Sequence, residues 1–243
     1  MGEVVLGKEV GDKIKILIAD DHPLLRKALK VTFEKQEDIE VIGEARDGEE
    51  AVRLSTELMP DVVILDLNMP KLNGLQATRE IKKSHPDILI LVLTVHSDIE
   101  HILNIIQAGA NGYLTKSADD MEVVNAVRTL ISGQSVLSQE IIQQIAQYTL
   151  KYSIDKSPFY VAGTNTRTTH GDLTHREIEA LRLVAQGMSN KEIAVKLNLS
   201  ERTVKGYIAE LFSKLGASSR TEAVVKGLKK GILSIDDINE SFM

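Results

Sequence analysis

Hydrophobic positions along the chain alternate between two periods. Lys15–Ala19 is a short β-branched run that ends at Asp20-Asp21, and Leu25, Ala28, Leu29, Thr32 and Phe33 then recur at helical spacing. The alternation repeats. Ile39–Ala45 predicts a strand, and Ala51, Leu54 and Leu58 a helix after it. Val62–Leu65 predicts a strand, and residues 75–83 a helix. Ile88–Thr94 is the next strand, followed by a helical stripe of Ile99, Ile102, Leu103 and Ile106. Tyr113–Thr115 is a last short strand before a helix carrying Val123, Val127, Leu130 and Ile131. Five β-α units whose strands are apolar on both faces predict a doubly wound α/β domain. Its five-stranded parallel sheet is covered by helices on each side. In such sheets the ligand site lies outside the carboxyl ends of the strands.

The pattern then changes. Ser138 can cap a helix over about 138–152 that carries Ile141, Ile145, Tyr148 and Tyr152 on one face. Residues 153–171 lose periodicity and gain small polar residues, which predicts a flexible linker. A small all-α domain follows, with helices near 174–186, 189–197, 200–215 and 219–230. Thr174 with Glu177, Ser189 with Glu192, and Ser219 with Glu222 fit the capping-box spacing. Ser200 caps the remaining helix, and Gly187 and Gly216 stand where helices end. In that helix Val204, Ile208, Leu211 and Leu215 form the buried stripe. The opposite face carries Arg202, Gly206, Ala209 and Ser213, flanked by Lys205 and Glu210. The short Asn198-Leu199 link fits a helix-turn-helix, although spacing alone also fits a helical protein-interaction module.

Composition narrows the class. With 43% apolar residues among 243, the chain is not a disordered polymer. Without cysteine, a disulfide scaffold, a thiolate zinc site and a cysteine nucleophile are excluded. No apolar run reaches the ~18–20 residues that span a bilayer. The start, MGEVVLGKEVGDK, has neither the basic opening nor the apolar stretch of a signal peptide. A cytoplasmic protein with no membrane partner is expected. The net charge of −6 is unevenly spread: −7 over residues 1–171, +4 over 172–235, and −3 over the last eight. The expected division is a domain at 13–133, a linker region at 134–171 and a second domain at 172–235.

The expected strand ends carry Asp20 and Asp21, Asp66, Thr94 and Lys116. Singly, each is ordinary: an aspartate there is usually a cap or turn residue. Together they suit one chemistry. Three carboxylates in one crevice repel, and a hard divalent cation such as Mg²⁺ relieves that repulsion. Lys116 adds positive charge, and the Thr94 hydroxyl can donate to an anionic oxygen. Such a set can hold a phosphoryl group on a carboxylate.

The segments IADDHP, VVILDLNMPKLNG, LTVHS and GANGYLTK make residues 13–133 resemble a response-regulator receiver domain of the CheY type. The resemblance implies a flavodoxin-like strand order, 2-1-3-4-5, and Asp66 as phospho-acceptor. It implies Mg²⁺ held by Asp20, Asp21, Asp66 and the backbone carbonyl of Asn68. Thr94 and Lys116 would stabilise the phosphoryl group, and a sensor histidine kinase would supply it. Tyr113 matches the family's switch aromatic and equally fits a half-buried sheet residue. Asn68 and His96, each two residues past a site residue, are candidates to line the phosphoryl group. Ser117 stands where many receivers carry proline.

The run LTHREIEALRLVAQGMSNKEIAVKLNLSERTVKGYIAELFSKLGASSRTEAV resembles the LuxR-type DNA-binding domain. The whole is similar to the NarL/FixJ type of response regulator. That implies a transcription regulator rather than an enzyme, acting on double-stranded DNA as a homodimer. Residues 200–215 would be the recognition helix. Lys205 would contact base or phosphate, beside Arg202 and Gly206 on the same face, while Thr203, Lys191, Asn190 and Arg220 would hold phosphates. Tyr207 and Gly206 depart from the family's usual residues.

Overall fold

The computed structural model of the chain describes residues 13–95, 99–137, 141, 144–145, 147–148, 173–234 and 236–239. Five strands pair in parallel: β1 (Ile14–Ala19), β2 (Ile39–Ala45), β3 (Val62–Leu65), β4 (Leu89–Thr94) and β5 (Gly112–Thr115). Their order, β2-β1-β3-β4-β5, is the one that the resemblance to receiver domains implies. Helices α1 (Pro23–Glu34), α2 (Gly48–Leu58), α3 (Gly74–Ser84), α4 (Ile99–Gln107) and α5 (Asp120–Ile131) follow the strands in turn.

Strand side chains alternate between two cores. Ile16 and Ile18 of β1 join Val62, Ile64, Leu91 and Leu93 in a core closed by Leu29 and Phe33 of α1 and Val123, Val127 and Leu130 of α5. The intervening Leu17, Val63, Leu65, Ile90, Val92 and Tyr113 are buried on the other face, on which α2, α3 and α4 pack side by side. Leu58, expected on the buried stripe of α2, is 36% exposed. Ser55 is buried on α2 instead, its hydroxyl satisfied by donating to the Ala51 carbonyl. Beyond α5 the chain adds a feature that no periodicity announced. Val136 bridges Gly112 in parallel, and its carbonyl accepts the Tyr113 N–H at 2.8 Å.

By its contacts the chain divides into two units, residues 1–138 and 139–243. The helix expected over 138–152 falls largely outside the described residues, although Ile141 and Ile145 are helical and buried. The linker expected over 153–171 lies wholly outside them. The second unit contains α6 (His175–Ala185), α7 (Asn190–Leu197), α8 (Glu201–Leu215), α9 (Arg220–Lys229) and the short α10 (Asp236–Asn239). Thr174 and Ser189 form reciprocal capping boxes with Glu177 and Glu192. The third box is displaced. Ser219 accepts from the Glu222 N–H, but the Glu222 carboxylate accepts from the N–H and hydroxyl of Ser218. The buried stripe of α8 is Val204, Ile208, Leu211 and Leu215, as its spacing predicts. Among the described residues no helix is long and apolar enough to cross a membrane.

Candidate functional site

Parallel register brings the ends of β1 and β3 side by side, Ala19 opposite Leu65. The next residues, Asp20 and Asp66, therefore emerge together, and both are buried. The Asp66 N–H donates to the Ala19 carbonyl at 2.9 Å, tying the two turns. One edge of the site is built by close approach. Gly74, the first residue of α3, lies against the Asp66 carbonyl, where any Cβ would intrude far inside van der Waals contact.

The crevice is charged on a small scale. Lys116 Nζ lies 2.7 Å from Asp20 Oδ2 and 2.8 Å from Asp66 Oδ2. Burial alone would lower the pKa of this ammonium, but the hydrogen bonds and charges of Asp20 and Asp66 outweigh it and raise the value. The other oxygens of the two aspartates meet backbone donors: Asp20 Oδ1 accepts from the His22 N–H, and Asp66 Oδ1 from the Leu67 N–H. Thr94 is fully buried at the end of β4, and its carbonyl accepts the Lys116 N–H at 2.8 Å. The Tyr113 ring is also buried, and burial pushes its hydroxyl up to about 12. Asn68 is exposed on the loop after β3. His96 lies outside the described residues.

The donor set suits a divalent cation. Asp20, Asp21, His22 and Asp66 each offer one ligand atom, all within 4.8 Å of one another. Asp21 Oδ1 is shielded from solvent and has no hydrogen-bond partner, an arrangement that a cation would satisfy.

Several supporting residues escaped sequence reasoning. Arg26 donates to the Asp20 carbonyl at 2.6 Å. Lys71, on the loop after Asp66, pairs at 2.7 Å with Asp47, the buried N-cap of α2. That hydrogen bond holds the Asp47 carboxyl below its ordinary range. The only local sign of this was the Asp-Gly pair opening α2.

In the second unit, α7 and α8 meet through Asn198, which takes a left-handed conformation (φ 54°) that ends α7, and Ser200, which caps α8. Arg202, Thr203, Lys205 and Gly206 share the exposed part of α8, and Lys191 is exposed on α7. No atom would meet a Cβ at Gly206, so packing does not require glycine there. Lys205 Nζ is 3.1 Å from Glu201 Oε1 on the same helix. Thr203 also serves the cap, its N–H donating to Ser200 Oγ at 3.1 Å. Arg220 and Asn190, expected to hold phosphates, are hydrogen-bonded to each other. Arg220 is buried and donates to Asn190 Oδ1 at 3.0 Å and to the Met188 carbonyl. Its guanidinium joins α9 to the turn before α7, a partner more than thirty residues away that local spacing does not reveal.

Comparison with known proteins agrees with both halves. The family model for the response regulator receiver domain matches residues 16–128. The model for bacterial regulatory proteins of the luxR family matches residues 172–226. The transcriptional regulatory protein LiaR of Bacillus subtilis is 40% identical over 212 residues, covering 87% of this chain and 95% of that protein. The transcriptional regulatory protein DegU of Brevibacillus brevis is 34% identical over 228 residues, covering 92% and 97%. Among solved structures, the RcsB response regulator of Salmonella typhimurium aligns with a TM-score of 0.54 at 25% identity, covering 88% of this chain and 97% of that one. A receiver fold joined to a LuxR-type helical domain, in a chain this similar to transcriptional regulators along its length, belongs to the NarL/FixJ-type response regulators, which are transcription regulators and not enzymes.

Proposed function

We propose that the chain is switched by phosphorylation of Asp66 and that the switch controls binding to double-stranded DNA. The observation that carries this reading is the convergence of two buried carboxylates, Asp20 and Asp66, on the Lys116 ammonium at the carboxyl ends of the strands. Asp20, Asp21 and Asp66, with the backbone carbonyl of Asn68, would hold Mg²⁺. When bound, that cation supplies charge neutralisation for the transferring phosphoryl group.

The chain's own residues do the rest. Asp66 attacks the phosphorus of a phosphohistidine on a partner kinase, the P–N bond breaks, and an acyl phosphate forms on Asp66. Lys116 can turn from the Asp66 carboxylate to the new phosphoryl oxygens. The Thr94 hydroxyl donates to the same group, and its movement lets the buried Tyr113 ring follow. Phosphorylation adds roughly −1.5 to −2 charge and three acceptor oxygens, which biases an existing two-state equilibrium. The receiver spans 13–133 and is joined through 134–171 to the DNA-binding domain at 172–235. In this reading the protein works in the cytoplasm as a homodimer on paired half-sites. Lys205, Arg202 and Gly206 face the groove, and Lys191 and Thr203 face phosphates.

The test is selection of bound DNA from a random pool, with and without a small phosphodonor and Mg²⁺, for the wild type and Asp66→Asn. Enrichment of paired half-sites that depends on the donor and on Asp66 is expected. Donor-independent enrichment, or unchanged donor-dependent enrichment in Asp66→Asn, overturns the assignment.

A further inference from the structure

His22 follows the acidic pair in IADDHP. Its imidazole is largely exposed, yet Nδ1 sits 2.7 Å from Asp21 Oδ1 and 3.4 Å from Asp20 Oδ1. The closer approach is within ion-pair distance, and Asp21 Oδ1 is shielded from solvent. Nδ1 thus lies among the carboxylate oxygens that would hold the cation. We propose that His22 is a nitrogen ligand of the acidic cluster and opens it to borderline divalent ions, Zn²⁺ foremost, as well as to Mg²⁺. The inference rests on the reading of Asp20, Asp21 and Asp66 as a cation site.

The spacing is that of ligands sharing one ion. Two donors at about 2.1 Å from a metal lie about 3.0 Å apart at a right angle and about 3.4 Å apart at the tetrahedral angle. The two separations around Nδ1 bracket the first of these values and reach the second. The whole set, Asp20, Asp21, His22 and Asp66, presents its ligand atoms within 4.8 Å.

The backbone holds the imidazole in place. The His22 N–H donates to Asp20 Oδ1 at 2.7 Å, which closes a tight turn through the acidic pair. The His22 carbonyl accepts from the Arg26 N–H at 3.1 Å as the first bond of α1, and Pro23 follows at the first helical position. The main chain at His22 is therefore pinned on both sides, and Pro23 restricts it further. Little backbone ordering is left for metal binding to impose.

Ligand chemistry sets the consequence. Mg²⁺ prefers an all-oxygen shell and gains little from an imidazole, whereas Zn²⁺ binds imidazole and carboxylate together. Because Asp66 belongs to the set, an ion held by all four residues occupies the phospho-acceptor. Zn²⁺ and Mg²⁺ then compete for the same carboxylates.

The experiment titrates the full chain separately with Mg²⁺ and Zn²⁺, for the wild type, His22→Ala and Asp21→Asn. It also records pulsed EPR of the Mn²⁺-loaded protein, which reads coupling to a bound imidazole nitrogen. Loss of even an outer-shell partner costs about 10–100-fold in metal affinity, so His22→Ala should weaken Zn²⁺ by at least about tenfold. Mg²⁺, with its oxygen ligands intact, should weaken by less than about threefold. The nitrogen coupling should vanish in His22→Ala, although the five other histidines remain. Unchanged Zn²⁺ affinity or persistent coupling in His22→Ala, while Asp21→Asn weakens both ions, overturns the role of His22 and leaves the cation site standing. If Asp21→Asn alters neither ion, the cation site itself falls, and this inference with it.

Discussion

Lys116 Nζ lies 2.8 Å from Asp66 Oδ2, and the same ammonium reaches Asp20 Oδ2 at 2.7 Å. One side chain therefore compensates two buried carboxylates. Lys116→Met leaves them facing each other without a cation. In chelator-treated buffer the variant should lose about 3 kcal/mol of receiver stability, as breaking a buried ion pair typically does. Added Mg²⁺ should restore more stability to the variant than it adds to the wild type. Urea unfolding with and without Mg²⁺ measures both, and a loss indifferent to the cation would contradict the shared role.

Gly74 bears on the acceptor through its missing side chain. A methyl group there would drive α3 away from the Asp66 carbonyl. Gly74→Ala should cost about 1–3 kcal/mol, the usual range for overpacking. It should also slow phosphoryl uptake by displacing Asp66. Alanine at Gly133 serves as a comparison: its Cβ meets nothing, so only the cost of its positive φ is expected, with no effect on uptake. Equal uptake by Gly74→Ala and the wild type would show that the contact is dispensable.

A different ion pair governs the acid response of the helical domain. Glu177, buried in its capping box, lies 2.8 Å from Lys214 Nζ. Burial raises its pKa, but the bonds from Lys214 and Thr174 prevail and hold the carboxyl below the usual 4.5. A depressed carboxyl pKa gives stability that is present above the unfolded value and lost as pH falls through the folded one. The loss should therefore begin below about pH 4.5. Glu177→Gln should lower stability at neutral pH and flatten the pH dependence in that acid window. Thermal unfolding of the full chain followed by helical circular dichroism from pH 7 downward reads both effects; parallel curves for the two proteins would exclude Glu177 as the source.

Helix α8 carries its own internal counter-charge. Lys205 pairs with Glu201 at 3.1 Å while both are exposed. Lys205→Ala should weaken DNA binding and reduce the slope of log affinity against log salt by about 1. Glu201→Gln should do the reverse at low salt, because it frees Lys205 and removes an anion facing phosphates, and the gain should shrink as salt rises. Fluorescence anisotropy over a salt series distinguishes the two. No change in slope for Lys205→Ala would remove it from the interface.

Most strands were legible as apolar runs that stop at a polar residue, whereas their order followed from the resemblance to receiver domains. The same stops exposed Asp20, Asp66, Thr94 and Lys116, since in a parallel sheet the strand ends fall on one edge. The helix starts were legible where cap and partner are three residues apart, as at Thr174 and Ser189. What escaped was held by distant or shared partners. Glu222 serves Ser218 rather than completing the Ser219 box, Arg220 turns inward to Met188 and Asn190, and Lys71 reaches back to Asp47. None leaves a periodic trace. The Val136 bridge rests on one residue, too little for any pattern to reveal.

That bridge also answers a hazard of open sheets. An unpaired edge strand is a template on which another chain can add a strand and start aggregation. On the β5 side, Val136 already occupies the Tyr113 N–H, so the template is filled from within the chain. On the β2 side, the register slips between Ile16 and Leu17, and Glu40 and Glu44 stand exposed along the strand. A bulge and repelling carboxylates discourage an incoming strand there. Both edges of the sheet thus carry features that disfavour strand addition.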